Sequence, residues 1–229
     1  MNRFQQSLTS DKLQLYVSLP ANDPALAEAA LAEGADGLKV HINVGHRASG
    51  NNFGPLSAYT DTMTHIRSLF DGPLGIVPGG SLDSVREEEI EALPALGVDF
   101  TSIYAFHMSS FLLRFPKLSR TFAIDSSFDL RLVEGAGAFG VEALEASVVP
   151  GDEYGTSLTF ADLLKYRWLV QHSGLPVIVP SQRKIGSADI PALIDSGIKV
   201  LLIGAVVTGK DADGIRRAVA ELRNAIDRR

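Results

Sequence analysis

Eight times along 229 residues a short aliphatic or β-branched run gives way to an amphipathic stretch, and this order constrains the fold more than any other feature. The runs lie at residues 13–19, 38–44, 74–77, 98–104, 120–125, 141–149, 176–181 and 199–204. Strict strand-helix alternation calls for parallel strands, and eight units at this length match a single-domain α/β (β/α)8 barrel spanning residues 1–229. An open doubly wound sheet is the alternative. No shift in composition marks a linker.

The punctuation supports the helices. Asp23-Pro24 opens the first and Gly34 closes it, the proline-early, glycine-late asymmetry of helix ends. A second helix spans about 59–70, and Ser84 with Glu87 predicts a capping box for the third. A short helix is expected over 111–115. Ser126 or Ser127 is expected to cap another that ends at Gly135, and "FADLLKYRWLVQHSG" reads as an amphipathic helix ending at Gly174. The last two run from near Ser187 to Gly197 and from near Asp211 onward.

Composition removes several functions. There is no cysteine, so disulfides, thiolate nucleophiles and Cys-rich zinc sites are excluded. The net charge of -6 is spread along the chain with no basic run, which argues against nucleic acid. The densest apolar run, "VLLIGAVV", is too short to span a membrane, and "MNRFQQSLTSDKLQLYV" lacks the apolar region of a secretory signal. A soluble, cytoplasmic protein is expected.

In a closed barrel, strand residues alternate between the interior and the helix layer, and function collects at the carboxyl ends of the strands. In "GLKVHINVG" the apolar set Leu38, Val40, Ile42 and Val44 suits the helix side, which turns Lys39, His41 and Asn43 inward. Barrel interiors are normally filled by branched aliphatic residues, so a polar ladder there points to a site; a structural Lys-carboxylate plug is the competing reading. The same parity turns Glu145 inward on the sixth strand, Asp125 on the fifth and Ser18 on the first. Lys39, Glu145, His41 and Asp125 are therefore the candidate catalytic groups, with Asn43 and Ser18 as substrate contacts. A carboxylate facing an ammonium across a dry mouth suits proton transfer at carbon, with Glu145 as acid or base. Lys39 could alternatively form a Schiff base. No cofactor is expected. His41, Asp125 and Glu145 are ligand types that suit a divalent ion, but no HxH, HxxxH or DxD spacing supports one.

The last quarter carries a second signal. "GIKVLLIGAVVTGKDADGIRRAV" runs from the eighth strand through a glycine turn into a helix, and "VIVPSQRKIGS" follows the seventh. In this stretch and in its βα rhythm the chain resembles the phosphate-binding TIM-barrel superfamily, the ribulose-phosphate-binding-like barrels; no single family is matched. The resemblance implies that a substrate phosphate is held after strands seven and eight, by Ser181, Gly186, Gly204, Ala205, Thr208 and Gly209. Glycine is absent from the seventh loop before Gly186, and Arg183 or Lys184 would replace its amides with charge. The expected partner is a small phosphorylated metabolite, and a homodimer is an assembly open to such a barrel. An isomerase or epimerase acting on a sugar phosphate is the leading expectation, with a Schiff-base aldolase or synthase, or a non-catalytic ligand-binding barrel, as alternatives. The Gly, Asn and Ser-rich loop 45–57, with His46 and Arg47, reads as a lid, a phosphate clamp or simply a mobile connection.

Overall fold

All eight expected strands are present, and each pairs in parallel with two neighbours, so the sheet closes with no free edge. The computed structural model describes residues 1–229. The strands are β1 (Gln14–Ser18), β2 (Gly37–His41), β3 (Leu74–Val77), β4 (Phe100–Tyr104), β5 (Ser119–Ile124), β6 (Ala143–Ala146), β7 (Val177–Pro180) and β8 (Val200–Ile203). Register places Ser18 beside Lys39, Lys39 beside Gly75, and Ala123 beside Glu145. No helix is long and apolar enough to cross a membrane.

Strand alternation divides the apolar residues into two cores. Leu38 and Val40 of β2, Leu144 of β6 and Leu201 of β8 join the large cluster beneath the helices. Tyr16, Phe100, Ala143, Ile178, Val200 and Leu202 form a second cluster inside the barrel. The inner cluster is completed by Phe4, from a helix not expected from the sequence, α1 (Arg3–Leu8). Asn2 and Gln5 start that helix by reciprocal capping bonds of 3.0 and 2.8 Å. Phe4 is fully buried, its ring stacked on Phe100 at 4.1 Å. Gly75 also faces Phe100, and a Cβ there would stand 2.2 Å from the ring. Gly75→Ala is therefore expected to overpack the inner core and cost about 1 to 3 kcal/mol. The urea midpoint reads this loss, and an unchanged midpoint would mean that the ring has room to move.

The outer layer contains α2 (Pro24–Ala32), α3 (Thr60–Ser68), α4 (Glu87–Ala92), α5 (Phe160–His172), α6 (Ile190–Ser196), α7 (Ala205–Thr208) and α8 (Ala212–Asp227). Three local expectations are corrected. Ser84 does not cap α4: its hydroxyl reaches backward, accepting from the amides of Gly80 and Ser81 at 2.9 Å each. After β4 a 3-10 turn, Ser110–Arg114, replaces the short helix. After β5 a 3-10 run, Leu130–Phe139, is capped by Asp129 and closed by Gly140 at φ +68. Ser127 cannot cap it, because its amide and hydroxyl are tied to Asp125 Oδ1 at 3.0 and 2.8 Å. Gly135 and Gly137 also weaken any α-helix there.

Candidate active site

β2 ends at His41 rather than at Val44, because Asn43 turns into the left-handed region at φ 52. The chain then forms a small antiparallel hairpin, Gly45–His46 against Asn51–Asn52, above the carboxyl-terminal mouth. Beneath it lies a cavity of about 540 Å³ lined by residues from all eight strand ends or the loops that follow them, among them Lys39, His41, Glu145 and Gly204.

At the cavity floor, Lys39 Nζ donates to Glu145 Oε1 at 3.0 Å and to Oε2 at 2.8 Å. Ser102 Oγ donates to Oε2 at 2.7 Å. The ammonium and carboxylate are 5% and 6% exposed, so this is a buried ion pair whose acceptor is further held by a hydroxyl. Inward parity alone brings Lys39 and Glu145 together over a separation of 106 residues. Ser102 was missed, although the alternation of Phe100, Ser102 and Tyr104 in "VDFTSIY" carries the same signal.

His41 is 1% exposed, its ring stacked on Phe53 at 4.8 Å and 4.4 Å from the ring of His46. Its Nε2 lies 3.3 Å from Ser18 Oγ, and its buried Nδ1 has no partner. Burial holds it well below the ordinary histidine value, with His46 and Lys39 adding to the effect. His46 is likewise pulled from 6.5 to about 4 by burial and then by Lys39. Both imidazoles are therefore neutral near pH 7. Above Ser102, Tyr104 also lines the cavity, and burial raises its phenol above the ordinary range, with Tyr154 and Glu145 adding to the rise.

The other expected site residues divide. Ser18, Asp125, Ser181 and Gly204 line the cavity. Asp125 sits at the rim, with Oδ1 committed to the turn around Ser127. Asn43 is not in the ladder: the positive φ swings its side chain away, and its amide donates to Glu89 on α4. Arg183 and Lys184 do not enter the cavity. Arg183 donates to Asp162 from Nε at 2.9 Å and from Nη2 at 3.1 Å and meets Glu153 Oε2 at 2.6 Å, while Lys184 is exposed.

The phosphate cradle expected after β7 is also altered. The amides of Ser181, Gln182 and Lys184 donate to protein carbonyls, and that of Gly186 donates to Asp189. The Gly204 amide donates to Ser181 Oγ at 2.8 Å. Thr208 turns its hydroxyl to the Gly209 carbonyl, and neither residue lines the cavity. Ala205 opens α7, and its amide and that of Val206 have no protein acceptor. No group of three or more His, Asp or Glu side chains is arranged to hold a metal ion.

Fold and site together define a single (β/α)8 barrel with a polar cavity at its carboxyl-terminal mouth and a buried Lys-Glu-Ser cluster on the cavity floor. Among solved structures the chain is similar to tryptophan synthase from M. tuberculosis, with a TM-score of 0.73, 14% identity and 99% of each chain covered. It is similar also to thiamine phosphate pyrophosphorylase from Pyrococcus furiosus, at TM-score 0.66 and 16% identity over 98% of each chain. A third is 3-keto-L-gulonate-6-phosphate decarboxylase from Vibrio cholerae, at TM-score 0.63 and 15% identity over 95% of this chain and 98% of that one. At these identities what is shared is the fold. No protein-family model and no curated protein sequence matches the chain.

Proposed function

We propose that the chain is an enzyme that binds a small phosphorylated carbonyl compound and moves a proton on the carbon next to the carbonyl. The observation that carries this reading is the buried Lys39–Glu145–Ser102 cluster, which lies at the floor of a cavity open to the mouth. Glu145 Oε1 accepts from Lys39 alone, whereas Oε2 accepts from both Lys39 and Ser102. Oε1 is thus the freer oxygen and the base. As it takes the α-proton, negative charge grows on the substrate oxygen, where the buried Lys39 ammonium stabilises it. Return of the proton from Glu145 to the same carbon gives exchange with retention, while its delivery to the neighbouring carbon, with that carbon's hydroxyl proton passing to the former carbonyl oxygen, completes an aldose-ketose isomerisation and restores the ion pair. Neutral His41, which also lines the cavity, is a second group suited to polarise the carbonyl.

A phosphate ester fits the free amide of Val206, which lines the cavity, with that of Ala205 next to it in the chain. It fits also the names of two barrels of the same fold, one a thiamine phosphate pyrophosphorylase and one acting on a 6-phosphate. The Schiff-base alternative has less support, because an ammonium gripped by two carboxylate oxygens has no lone pair to offer until its proton moves to Glu145.

The test is deuterium wash-in, followed by NMR, on a panel of aldose and ketose phosphates in D2O. One member should exchange its α-hydrogen, and Glu145→Gln should slow that exchange by at least about 100-fold. Full exchange in that variant, or tight binding with no exchange anywhere, would overturn the acid-base reading. Borohydride trapping of a substrate adduct on Lys39 would replace it with the imine route.

A further inference from the structure

We propose that Arg47, carried by the hairpin after β2, is the residue that selects for the anionic group of the substrate. The inference rests on the reading of a phosphorylated substrate given above, and it follows from the charges in the cavity. Four lining residues carry a formal charge: Lys39, Arg47, Asp125 and Glu145. Lys39 and Glu145 cancel within one ion pair. The basic residues expected to meet a phosphate after β7 are absent from the lining, with Arg183 locked against Asp162 and Glu153. Arg47 makes no ion pair with any carboxylate, so among the lysines and arginines facing the cavity its guanidinium alone is uncompensated.

Its position is built. The strand before it is pinned by the His46 ring on His41 and by the 2.8 Å contact of His46 Nδ1 with the fully buried Ser49. The strand after it is held by Asn51, whose side-chain amide donates to the Pro20 carbonyl at 2.8 Å. From this hairpin the guanidinium crosses to the loop after β6 and seats against Gly151. A Cβ there would lie 2.4 Å from Nη1 and 3.0 Å from Cζ, so a side chain at residue 151 would displace the guanidinium from this position. Gly151 does not need a left-handed backbone; what its lack of a side chain supplies is room for the arginine. A planar guanidinium in this position offers paired donors to the tetrahedral face of a phosphate, which a lysine cannot reproduce.

The test compares wild type with Arg47→Met, Arg47→Lys and Gly151→Ala by calorimetric titration with inorganic phosphate. Arg47 is exposed, so urea midpoints of its variants should match wild type and separate binding from folding. Arg47→Met is expected to weaken phosphate binding by about 10- to 100-fold, and Arg47→Lys to recover only part of it. Gly151→Ala keeps the arginine but displaces it, and should weaken binding too. If wild type binds phosphate and all three variants bind it equally well, the role of Arg47 is overturned and the phosphorylated-substrate reading stands. If wild type binds neither phosphate nor any phosphosugar, both fall, and the deuterium exchange experiment still judges the Glu145 chemistry by itself.

Discussion

Lys39→Met is expected to lower the free energy of unfolding by about 3 to 5 kcal/mol, because it leaves the Glu145 carboxylate buried with only the Ser102 hydroxyl to face it. The two charges sit at 5% and 6% exposure, where solvent does little to replace a lost partner. Removing both charges is a different matter. In Lys39→Met/Glu145→Leu no uncompensated ion remains, and most of the lost stability should return, since a well-packed apolar pair of similar volume often equals or exceeds a buried ion pair. Urea unfolding of the single and double variants measures both. A single-variant loss under about 1 kcal/mol would place the pair in the class of solvent-screened surface bridges and remove the argument for a dry floor.

Acid should destabilise the protein in two separate windows. His46 has its folded value at about 4, below the ordinary 6.5, because burial first and Lys39 second disfavour its charged form. The unfolded chain therefore binds the proton more readily, so the stabilising contribution of neutral His46 is complete above pH 6.5 and is lost as pH falls toward 4. The shift corresponds to a few kcal/mol, about 3 to 4 at most. His41, held low chiefly by burial, adds to the slope in the same direction. Burial raises Asp162, but hydrogen bonds from Arg183 and Thr159 outweigh it and bring the carboxyl below its ordinary 3.8. Its contribution is thus lost only at lower pH. Urea midpoints at pH 7, 5.5 and 4 should fall steadily in wild type and more gently in His46→Asn. Parallel curves for the two proteins would assign the slope to carboxylates instead.

What could be read from the sequence followed from differences between the two faces of a strand. β2 alternates cleanly between aliphatic and polar residues, so closing the sheet left one place for Lys39 and His41, and the same logic on β6 brought Glu145 to meet Lys39. The alternation did not reveal where β2 stops, since Asn43 continues the pattern while its backbone has already turned. Charge in a loop was misleading for a related reason: Arg183 was read as a ligand because the sequence shows a cation but not its carboxylate, which lies 21 residues earlier on α5. The helices expected after β4 and β5 gave way to 3-10 turns, the first over a run of only five residues and the second where Gly135 and Gly137 interrupt the apolar spacing. α1 has only six residues and a single buried apolar side chain, too little periodicity to be noticed, and Phe4 proves to be part of the inner core.

Phe4 and the aromatic layer above it have a consequence for traffic. With Phe4, Tyr16 and Phe100 packed across the amino-terminal end, the barrel is a well with one entrance, and a molecule must arrive and depart through the same opening beneath the hairpin. Lys39 and Glu145 wait at the bottom of that well and Arg47 at its lip. A ligand that satisfies both must descend with its carbonyl leading and its anionic group trailing, and it must leave tail first. The depth of the well then acts as a ruler: a compound whose charged end is too close to its carbonyl reaches the lip or the bottom, but not both.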